Sequence, residues 1–259
     1  MTERVKTFYD DLASNYHLIF EDWEASIKRQ AACLGSVLER ELSSTKLRIL
    51  DCACGIGTQT LGLASCGYRV TACDLSSAAV KRMCAEASQR RLDVQGFVAD
   101  LLDLALIPEG DFDAVICMDN ALPHLDAQDQ VAQATAQIRR KLRPGGLFVA
   151  SIRDYDALVR ERPVVQGPTF YTDDGRRRIV HQVWDWIDDR RYTFHLYITR
   201  QTLGGWESQH YVSTYRALLR SEMTSVLEHA GFVGARWLLP AESGFYQPIV
   251  LAKTPVGAP

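Results

Sequence analysis

Short apolar runs alternate with longer amphipathic stretches between residues 47 and 152. The runs have the length and the β-branched content of buried strands, and they cover residues 47–52, 69–74, 94–100, 112–118 and 147–152. The stretches with a helical period cover residues 58–65, 76–90 and 128–142. A parallel sheet with helices on both faces produces this alternation. The pattern therefore predicts a doubly wound α/β fold with a mostly parallel sheet.

The alternation breaks between residues 155 and 215. Three aromatic-rich runs follow one another there, RRRIVHQVWDWID, RRYTFHLYITRQ and WESQHYVSTY. They are joined through Asp188-Asp189 and Gly204-Gly205, which are typical of hairpin turns, so we expect antiparallel strands inserted after the fifth strand. A helix over residues 220–229 and the strands ARWLLP and QPIVLAK then resume the core and give its sheet seven strands.

The composition is that of an ordinary globular protein. The chain of 259 residues is 47% hydrophobic and 24% charged, which fits one large α/β domain with an insertion. Its formal net charge of -3 gives no electrostatic reason for nucleic acid as a partner. The start MTERVKTFYDDLASNY has no apolar signal region, and no apolar run is long enough to span a membrane. We therefore expect a cytoplasmic protein without nucleic acid or membrane partners.

Seven cysteines are scattered through the predicted strands and helices, which is typical of buried free thiols in a reducing compartment. Cys52 and Cys54 lack the spacing of a zinc knuckle, and no second Cys/His pair completes a site. The sequence thus predicts no metal.

The stretch ILDCACGIGTQT joins the first strand to the first helix of the core through a glycine turn. Gly55 and Gly57 would let a ligand approach backbone that a Cβ atom would block. Asp74, at the end of the next strand, can accept hydrogen bonds from both hydroxyls of a ribose. The third glycine of the dinucleotide fingerprint is replaced by Thr60, which disfavours a nicotinamide or flavin cofactor. An adenosine site is then the better interpretation for a ligand, and a plain strand-to-helix turn that binds nothing is the alternative.

Acidic or polar residues end each of the first four strands. Asp51, Asp74 and Asp100 close the first three, and the fourth ends in Met118-Asp119-Asn120. Each carboxylate alone is more commonly a helix cap or a loop residue. Four in series at the carboxyl ends of parallel strands, where open α/β sheets bind ligands, indicate a binding site.

These motifs resemble those of the class I S-adenosylmethionine-dependent methyltransferases. LDCACGIGTQT looks like their first motif, VTACDLS like the second and GFVADLLDL like the third, and LRPGGLFVAS looks like the element around the fifth strand. CMDNALPHL, SIRDYD and the N-terminal YDDLASNYHLIFEDWEASIKRQ further resemble the glycine/sarcosine N-methyltransferase group. The insertion VWDWIDDRRYTFHLYITR does not look like the one associated with glycine as substrate.

The resemblance implies a Rossmann-like methyltransferase sheet in a chain of three parts. Residues 1–45 would form an N-terminal helical lid, residues 46–154 and 216–254 the S-adenosylmethionine-binding α/β core, and residues 155–215 an antiparallel β insertion for substrate binding. The acceptor would be a small molecule, and the sequence assigns no oligomeric state.

The resemblance also implies the cofactor contacts. Gly55 and Gly57 would pass under the methionyl part of S-adenosylmethionine, and Asp74 would take the ribose. Asp100 and Leu101 would frame the adenine. Arg29 would pair with the methionyl carboxylate, although on residue type alone it is an ordinary surface arginine of a helix over residues 23–38. The remaining implied contacts are Asp51, Ala53, Thr58, Leu75 and Met118.

The chemistry follows from the cofactor, whose methyl group is already activated, so that positioning supplies most of the rate. An amine acceptor must arrive neutral, and Asn120 Oδ1, a tyrosine hydroxyl or a backbone carbonyl could orient its lone pair. His124 could act as a base or make a structural hydrogen bond. Tyr9 and Tyr16 lie about two helical turns apart, so both hydroxyls could face the site; ordinary packing is the alternative.

Two further groups are candidates for the acceptor site. Arg153 could bind an anionic or carbonyl oxygen of the acceptor, or it could pair with Asp154 or Asp156. Trp184 and Tyr211, like Tyr16, could contact the acceptor, although about half of the aromatic residues on alternating strands should fill the core of the insertion.

We therefore predict an S-adenosylmethionine-dependent enzyme that methylates a nitrogen of a small molecule: an amine, an amino acid or an N-heterocycle. A small-molecule O- or C-methyltransferase and a non-catalytic S-adenosylmethionine-binding protein are the alternatives. A nucleic-acid methyltransferase is disfavoured, since DNALPHL stands where an Asn/Asp-Pro-Pro-aromatic motif would be expected.

Overall fold

The computed structural model describes residues 3–44, 46–108 and 110–257. Its strands, in chain order, are β1 (Arg48–Asp51), β2 (Arg69–Asp74), β3 (Val94–Val98), β4 (Phe112–Cys117), β5 (Leu142–Ser151), β6 (Val165–Asp173), β7 (Arg176–Trp186), β8 (Arg191–Thr202), β9 (Gly205–Arg216), β10 (Val233–Leu238) and β11 (Ile249–Lys253). The helices are α1 (Glu3–Leu12), α2 (Trp23–Leu42), α3 (Thr58–Ser65), α4 (Ser77–Gln89), α5 (Gln128–Lys141), α6 (Tyr155–Glu161), α7 (Arg220–His229) and α8 (Pro240–Ser243). Short 3-10 helices cover Tyr16–Ile19 and Leu122–His124.

Seven strands form the main sheet in the order β10-β11-β5-β4-β1-β2-β3. Strands β1 to β5 pair in parallel, whereas β11 runs antiparallel to both β5 and β10. Helices pack on both faces: Val131 of α5 and Leu227 of α7 are buried on one, and Leu34 of α2 and Leu63 of α3 on the other. The prediction of a doubly wound, mostly parallel seven-stranded sheet is confirmed.

The carboxyl ends of β1, β2 and β4 lie side by side because β1 pairs with both of the other strands. The helices that follow or flank these ends have well-defined starts. Ser76 caps α4 by accepting a hydrogen bond from the Ala79 N–H at 3.0 Å, and Asp22 caps α2 by accepting one from the Ala25 N–H at 3.0 Å. These caps fix the backbone on both sides of the turn that follows β1.

Two glycines allow close packing behind this turn. A Cβ atom on Gly57, whose φ is +96°, would lie 2.6 Å from Met83 Cγ of α4. A Cβ atom on Gly62 would lie 2.7 Å from the Ile27 carbonyl oxygen of α2. Helix α2 can therefore approach α3 closely only because residue 62 is glycine.

The four strands β6-β7-β8-β9 form a separate antiparallel sheet in this order, which confirms the predicted antiparallel insertion after the fifth strand. The sheet has one strand more than the three aromatic runs, because β6 precedes them. The inner face carries Trp184, Phe194 and Tyr215, which cluster with Phe8 and Leu12 of α1.

The division of the chain into a lid, a core and a substrate-binding insertion stays a prediction. Residues 1, 2 and 45 of the predicted lid range lie outside the described residues. The start of β5 differs from the prediction: we expected a helix up to residue 142 and a strand from residue 147, whereas the strand begins at Leu142 and runs through Pro144-Gly145-Gly146. Leu142 pairs with Phe112, and the ladder then shifts register, so the glycines sit in an irregular part of the strand rather than before it.

The described residues contain no helix long and apolar enough to cross a membrane. Within the same residues, no group of three or more His, Cys, Asp or Glu side chains is placed to hold a metal ion. All seven cysteines are free thiols.

Candidate active site

The turn after β1 and the end of β2 are joined by the carboxylate of Asp74. Gly55, with φ at +51°, donates its N–H to Asp74 Oδ2 at 2.8 Å, and the Ser76 N–H donates to Oδ1 at 2.9 Å. Burial raises the pKa of the Asp74 carboxyl, and these hydrogen bonds act against the increase. The carboxylate lines a small cavity above the turn together with Ala53 and Leu75.

Tyr9 and Tyr16 close this small cavity from above, and we call the pair the aromatic roof. The rings lie 6.0 Å apart, and a Cβ atom on Gly55 would be only 3.4 Å from Cε1 of Tyr16. The cavity measures about 40 Å³, whereas sites for small molecules typically occupy roughly 300 to 1,000 Å³. A nucleoside can therefore occupy the space beside Asp74 only when the side chains of the aromatic roof turn aside, which needs no movement of the backbone that carries them.

Behind the turn, Asp51 is fully buried. The Thr60 hydroxyl donates a hydrogen bond to Asp51 Oδ2 at 2.7 Å, while Oδ1 has no partner in the described part of the chain. Burial raises the pKa of Asp51 to about 7. The residue that replaces the third glycine of the dinucleotide fingerprint thus has a structural role, and the close helix packing is supplied by Gly62 instead.

The end of β4 places two polar side chains in left-handed backbone conformations. The φ angles of Asp119 and Asn120 are +56° and +69°, which is unusual for two successive non-glycine residues and is a common feature of functional sites. Asn120 Oδ1 accepts a hydrogen bond from the Arg153 N–H at 3.1 Å, and its Nδ2 donates to the Tyr155 hydroxyl at 2.9 Å. Asn120 therefore ties the end of β4 to the segment after β5.

Asp119 is a site residue that the sequence did not single out. Its carboxylate accepts hydrogen bonds from Tyr246 Oη at 2.6 Å and from Gln59 Nε2 at 2.8 Å. Burial raises the pKa of Asp119. The sequence signal for Asp119 was its place in the series of polar residues that end the strands. Its contacts could not be predicted, because Gln59 and Tyr246 are distant in sequence.

A second cavity, of about 1040 Å³, adjoins the first. Tyr9, Tyr16 and Asp119 line both cavities. The larger cavity extends from Arg29 on α2 to Trp184 on the inserted sheet. Arg29 is exposed at this cavity and donates a hydrogen bond from Nη2 to Ser26 Oγ at 2.9 Å.

Arg153 projects into a box of aromatic rings at the insertion side of the large cavity. Its Cζ lies 4.7 Å from the ring centroid of Trp184, 5.1 Å from that of Phe194 and 5.0 Å from that of Tyr215. Its Nη1 donates to the Tyr192 hydroxyl at 2.7 Å.

The ion pair of Arg153 with a neighbouring aspartate, considered from the sequence, is not formed. Arg220 instead forms salt bridges with both aspartates, to Asp154 at 2.9 Å and to Asp156 at 3.4 Å. No salt bridge joins Arg153 to an acid of the described residues, so its guanidinium is held by the three rings and the Tyr192 hydroxyl alone.

Tyr9 and His124 form a hydrogen-bonded pair. The Tyr9 hydroxyl lies 2.8 Å from His124 Nε2, and the imidazole packs on Tyr215 with ring centroids 4.1 Å apart. Burial lowers the pKa of His124 to about 3, and a hydrogen bond to the Thr214 backbone acts against this shift. The imidazole is therefore neutral near pH 7, with Nε2 able to accept the Tyr9 proton and the Tyr9 oxygen able to accept another from the cavity.

The other predicted site residues divide between the cavities and the core. Ala53, Thr58, Leu75 and Met118 line the small cavity. Leu101 is buried in the main hydrophobic core, Asp100 Oδ1 accepts a hydrogen bond from the Leu102 N–H at 2.9 Å, and Gly57 packs on Met83. Tyr211 accepts a hydrogen bond from Asn15 Nδ2 at 3.1 Å. The cofactor or substrate contacts expected for these residues stay predictions.

Residues 49–146 match the family described as a methyltransferase domain. Glycine N-methyltransferase of Rattus norvegicus is 33% identical over 135 residues, which are 48% of this chain and 46% of that protein. The ubiquinone biosynthesis O-methyltransferase of Xanthomonas oryzae is 35% identical over 106 residues, 40% of this chain and 43% of that protein. The chain thus matches slightly less than half the length of these relatives.

A solved S-adenosylmethionine-dependent methyltransferase from Clostridium acetobutylicum superposes with a TM-score of 0.74 at 16% identity, covering 97% of this chain and 99% of the other. The fold agreement therefore extends beyond the matched motifs. Residues 49–146 of the α/β core are therefore a methyltransferase domain of the class I S-adenosylmethionine-dependent type. The resemblance recognised in the sequence is confirmed, and the cofactor of this methyltransferase core is S-adenosylmethionine.

The residues present fit this cofactor. Gly55 exposes backbone directly under the aromatic roof, and Asp74 offers a carboxylate at the same cavity. Arg29 supplies a cation at the adjoining cavity. The protein therefore offers a carboxylate that could bind hydroxyl groups of the cofactor and a guanidinium that could bind its carboxylate. The role of each residue stays a proposal.

Proposed function

We propose that the protein transfers the methyl group of S-adenosylmethionine to a nitrogen of a small molecule that also carries a carboxylate or another anionic group. The observation that carries the proposal is Arg153, a guanidinium enclosed by aromatic rings, without a salt bridge to the described acids, at the wall of the large cavity. A cation removed from water in this way favours an anionic ligand. An amino acid combines the required groups in one small molecule.

Nitrogen is favoured over oxygen because the histidine of the site is a weak base. A phenol or an alcohol must lose its proton to become a good nucleophile, whereas a neutral amine already has its lone pair available. The pKa of about 3 makes the His124 imidazole a poor proton acceptor. The O-methyltransferase similarity keeps the oxygen alternative open to test, and the glycine N-methyltransferase similarity supports nitrogen.

The cofactor supplies an activated methyl group, and the protein positions the reactants and excludes water from them. Arg29, Gly55 and Asp74 would hold the cofactor, with the aromatic roof excluding water above it. Tyr9, whose hydroxyl can donate its hydrogen bond to His124 Nε2, would accept the amine N–H and orient the nitrogen lone pair. Asn120 would fix the main chain at Arg153 and so the acceptor's anionic group. Positioning of this kind accounts for most of the rate in a displacement at an activated methyl.

The acceptor is proposed to be larger than glycine. The cavity of about 1040 Å³ must also hold the methionyl end of the cofactor, yet its far wall still carries Tyr171, Gln182 and Leu196 of the inserted sheet. Leu196 lies in the stretch VWDWIDDRRYTFHLYITR, which does not resemble the insertion associated with glycine. An acceptor with an apolar or aromatic body fits this wall.

The experiment is a methyl-transfer assay with purified protein and methyl-labelled S-adenosylmethionine. The acceptors are matched sets of amines, amino acids, N-heterocycles and phenols, and mass spectrometry with NMR locates the label. The expected product carries the methyl on nitrogen, with the highest kcat/KM for amines that bear an anionic group. Methylation of oxygen or carbon would reject the nitrogen assignment, and cofactor binding without transfer to any set would favour the non-catalytic alternative.

A further inference from the structure

Arg178 of β7 is a buried arginine outside the proposed reaction centre. Only 3% of its surface is exposed, and it lies on the inserted sheet. Its Nε and Nη2 donate to the two carboxylate oxygens of Asp173 at 2.6 and 2.8 Å. This bidentate pair fixes the plane of the guanidinium.

The other side of the same guanidinium contacts main chain from the N-terminal segment. Nη1 donates to the carbonyl oxygen of Phe20 at 3.0 Å and to that of Leu18, and Nη2 reaches the carbonyl of Glu21 at 3.5 Å. All three guanidinium nitrogens therefore have partners. Three carbonyl oxygens from residues 18–21 thus converge on one guanidinium.

These carbonyls belong to the connection between the aromatic roof and α2. Tyr16 precedes them in the chain and packs over Gly55, and Arg29 follows them in the first half of α2. Ile19, Phe20 and Glu21 themselves line the large cavity. A movement of residues 16–22 would therefore change both cavities at once.

Arg178 also contacts the acceptor side of the site. Its Cζ lies 4.5 Å from the ring centroid of Tyr171, which lines the large cavity. One side chain thus joins a wall of the large cavity to the backbone that carries Tyr16. Burying a charged pair contributes little net stability compared with apolar packing, so conformational specificity is the better reason for this arrangement.

We propose that Arg178 is a positioning residue that holds residues 16–22 closed over both cavities and thereby retains the cofactor. Arg178 acts through the carbonyls of Leu18, Phe20 and Glu21, with Asp173 orienting its guanidinium. The part of this inference that concerns turnover rests on the proposed function, whereas the part that concerns closure and cofactor retention does not.

The test compares Arg178→Ala and Arg178→Lys with the wild type, using Arg176→Ala as control. Arg176 is an exposed arginine on the same hairpin. Hydrogen exchange followed by mass spectrometry reports on residues 16–22 and, separately, on β1 and β4. Because several hydrogen bonds to a charged group are lost, we expect exchange in residues 16–22 to accelerate by about tenfold or more in Arg178→Ala, with β1 and β4 unchanged. Arg178→Lys keeps the charge without the fork, so it should restore protection only in part.

Calorimetry with S-adenosylhomocysteine, the demethylated product, gives the second readout. Affinity should fall by about tenfold in Arg178→Ala and less in Arg178→Lys, with Arg176→Ala at the wild-type value. With an identified acceptor, KM for the cofactor should rise more than kcat falls. Unchanged exchange and affinity in folded Arg178→Ala would overturn the proposal. If Arg178→Ala does not fold, Arg178→Lys decides by the same readouts; accelerated exchange throughout the chain would assign Arg178 to general stability instead. Failure to find an acceptor would reject the proposed function and leave the exchange result standing.

Discussion

The cofactor side and the acceptor side of the site are built in different ways. On the cofactor side, Gly55 and Asp74 lie 19 positions apart, and main-chain N–H groups of the turns hold the carboxylate. On the acceptor side, Arg153 follows β5, Trp184 lies in β7 and Tyr215 in β9, and the three meet through their side chains. The first is set by short-range backbone geometry, and the second by packing between distant segments.

This difference has a functional consequence. A site made of glycine conformations and main-chain donors tolerates few changes and serves one ligand, the cofactor. A site made of side chains on an inserted sheet can change its acceptor while the core stays intact. The two sides should therefore be separable by substitution, and the following predictions are ordered by the size of the expected effect.

Asp74→Ala should weaken S-adenosylmethionine binding by about 2 to 3 kcal/mol, because a charged acceptor of hydrogen bonds is lost. Calorimetry measures the change, and Asp93→Ala, which removes an exposed carboxylate, is the control. An unchanged dissociation constant in a folded Asp74→Ala protein would remove Asp74 from the cofactor site.

Arg29→Ala should weaken cofactor binding by about 2 kcal/mol, and Arg29→Lys by less, because lysine keeps the charge and loses the paired donors. The same calorimetric titration measures both variants. Equal affinity of the wild type and Arg29→Ala would show that Arg29 is an ordinary solvated residue of the helix surface without a role in cofactor binding.

His124 makes stability depend on pH. Its pKa is lowered to about 3 in the folded protein, against about 6.5 in the unfolded chain. Between these values the unfolded state binds the extra proton, so stability is complete above about pH 6.5 and falls as the pH is lowered. Between pH 6.5 and pH 5 this effect should lower the free energy of unfolding by about 2 kcal/mol. The His124→Gln variant should not show this contribution.

Urea titrations at several pH values measure this contribution as the difference between the wild type and His124→Gln. If both proteins lose stability in parallel between pH 6.5 and 5, the imidazole is not held neutral.

Tyr9→Phe should lower kcat by about tenfold, because the hydroxyl that orients the acceptor is removed while the ring of the aromatic roof is kept. Cofactor affinity should stay within about threefold of the wild-type value. Steady-state kinetics and calorimetry together check the separation. A large loss of cofactor affinity with unchanged kcat would place Tyr9 on the cofactor side.

The sequence predicted the fold, and it named specific candidates for the cofactor side, because these signals are local. The alternation of runs fixes a parallel sheet, and the turn at Gly55 followed by Asp74 fixes one end of the site. Gly57 also has a packing role that the sequence does not reveal, since a Cβ atom there would collide with Met83, 26 positions away. Strand β6 was missed because most of its residues are exposed and give no apolar pattern.

The acceptor side was predicted as a set of candidate residues without their arrangement. The box around Arg153 depends on rings from three inserted strands, and the carboxylate of Asp119 is held by Gln59 and Tyr246 from other parts of the chain. No periodicity or spacing in the sequence predicts such contacts between distant residues. For the same reason Tyr211 could not be distinguished from Trp184, although only Trp184 is among the residues that line the large cavity.

The most direct test of the separation between the two sides is the kcat/KM for an acceptor acid and for its neutral methyl ester, measured with the wild type and with Arg153→Met. The wild type should prefer the acid by about 10- to 150-fold, corresponding to roughly 1.5 to 3 kcal/mol for a hydrogen bond to a charged group. Arg153→Met should lose this preference while binding S-adenosylmethionine with wild-type affinity. The same preference for the acid in both proteins, or a matching loss of cofactor affinity in Arg153→Met, would contradict the account.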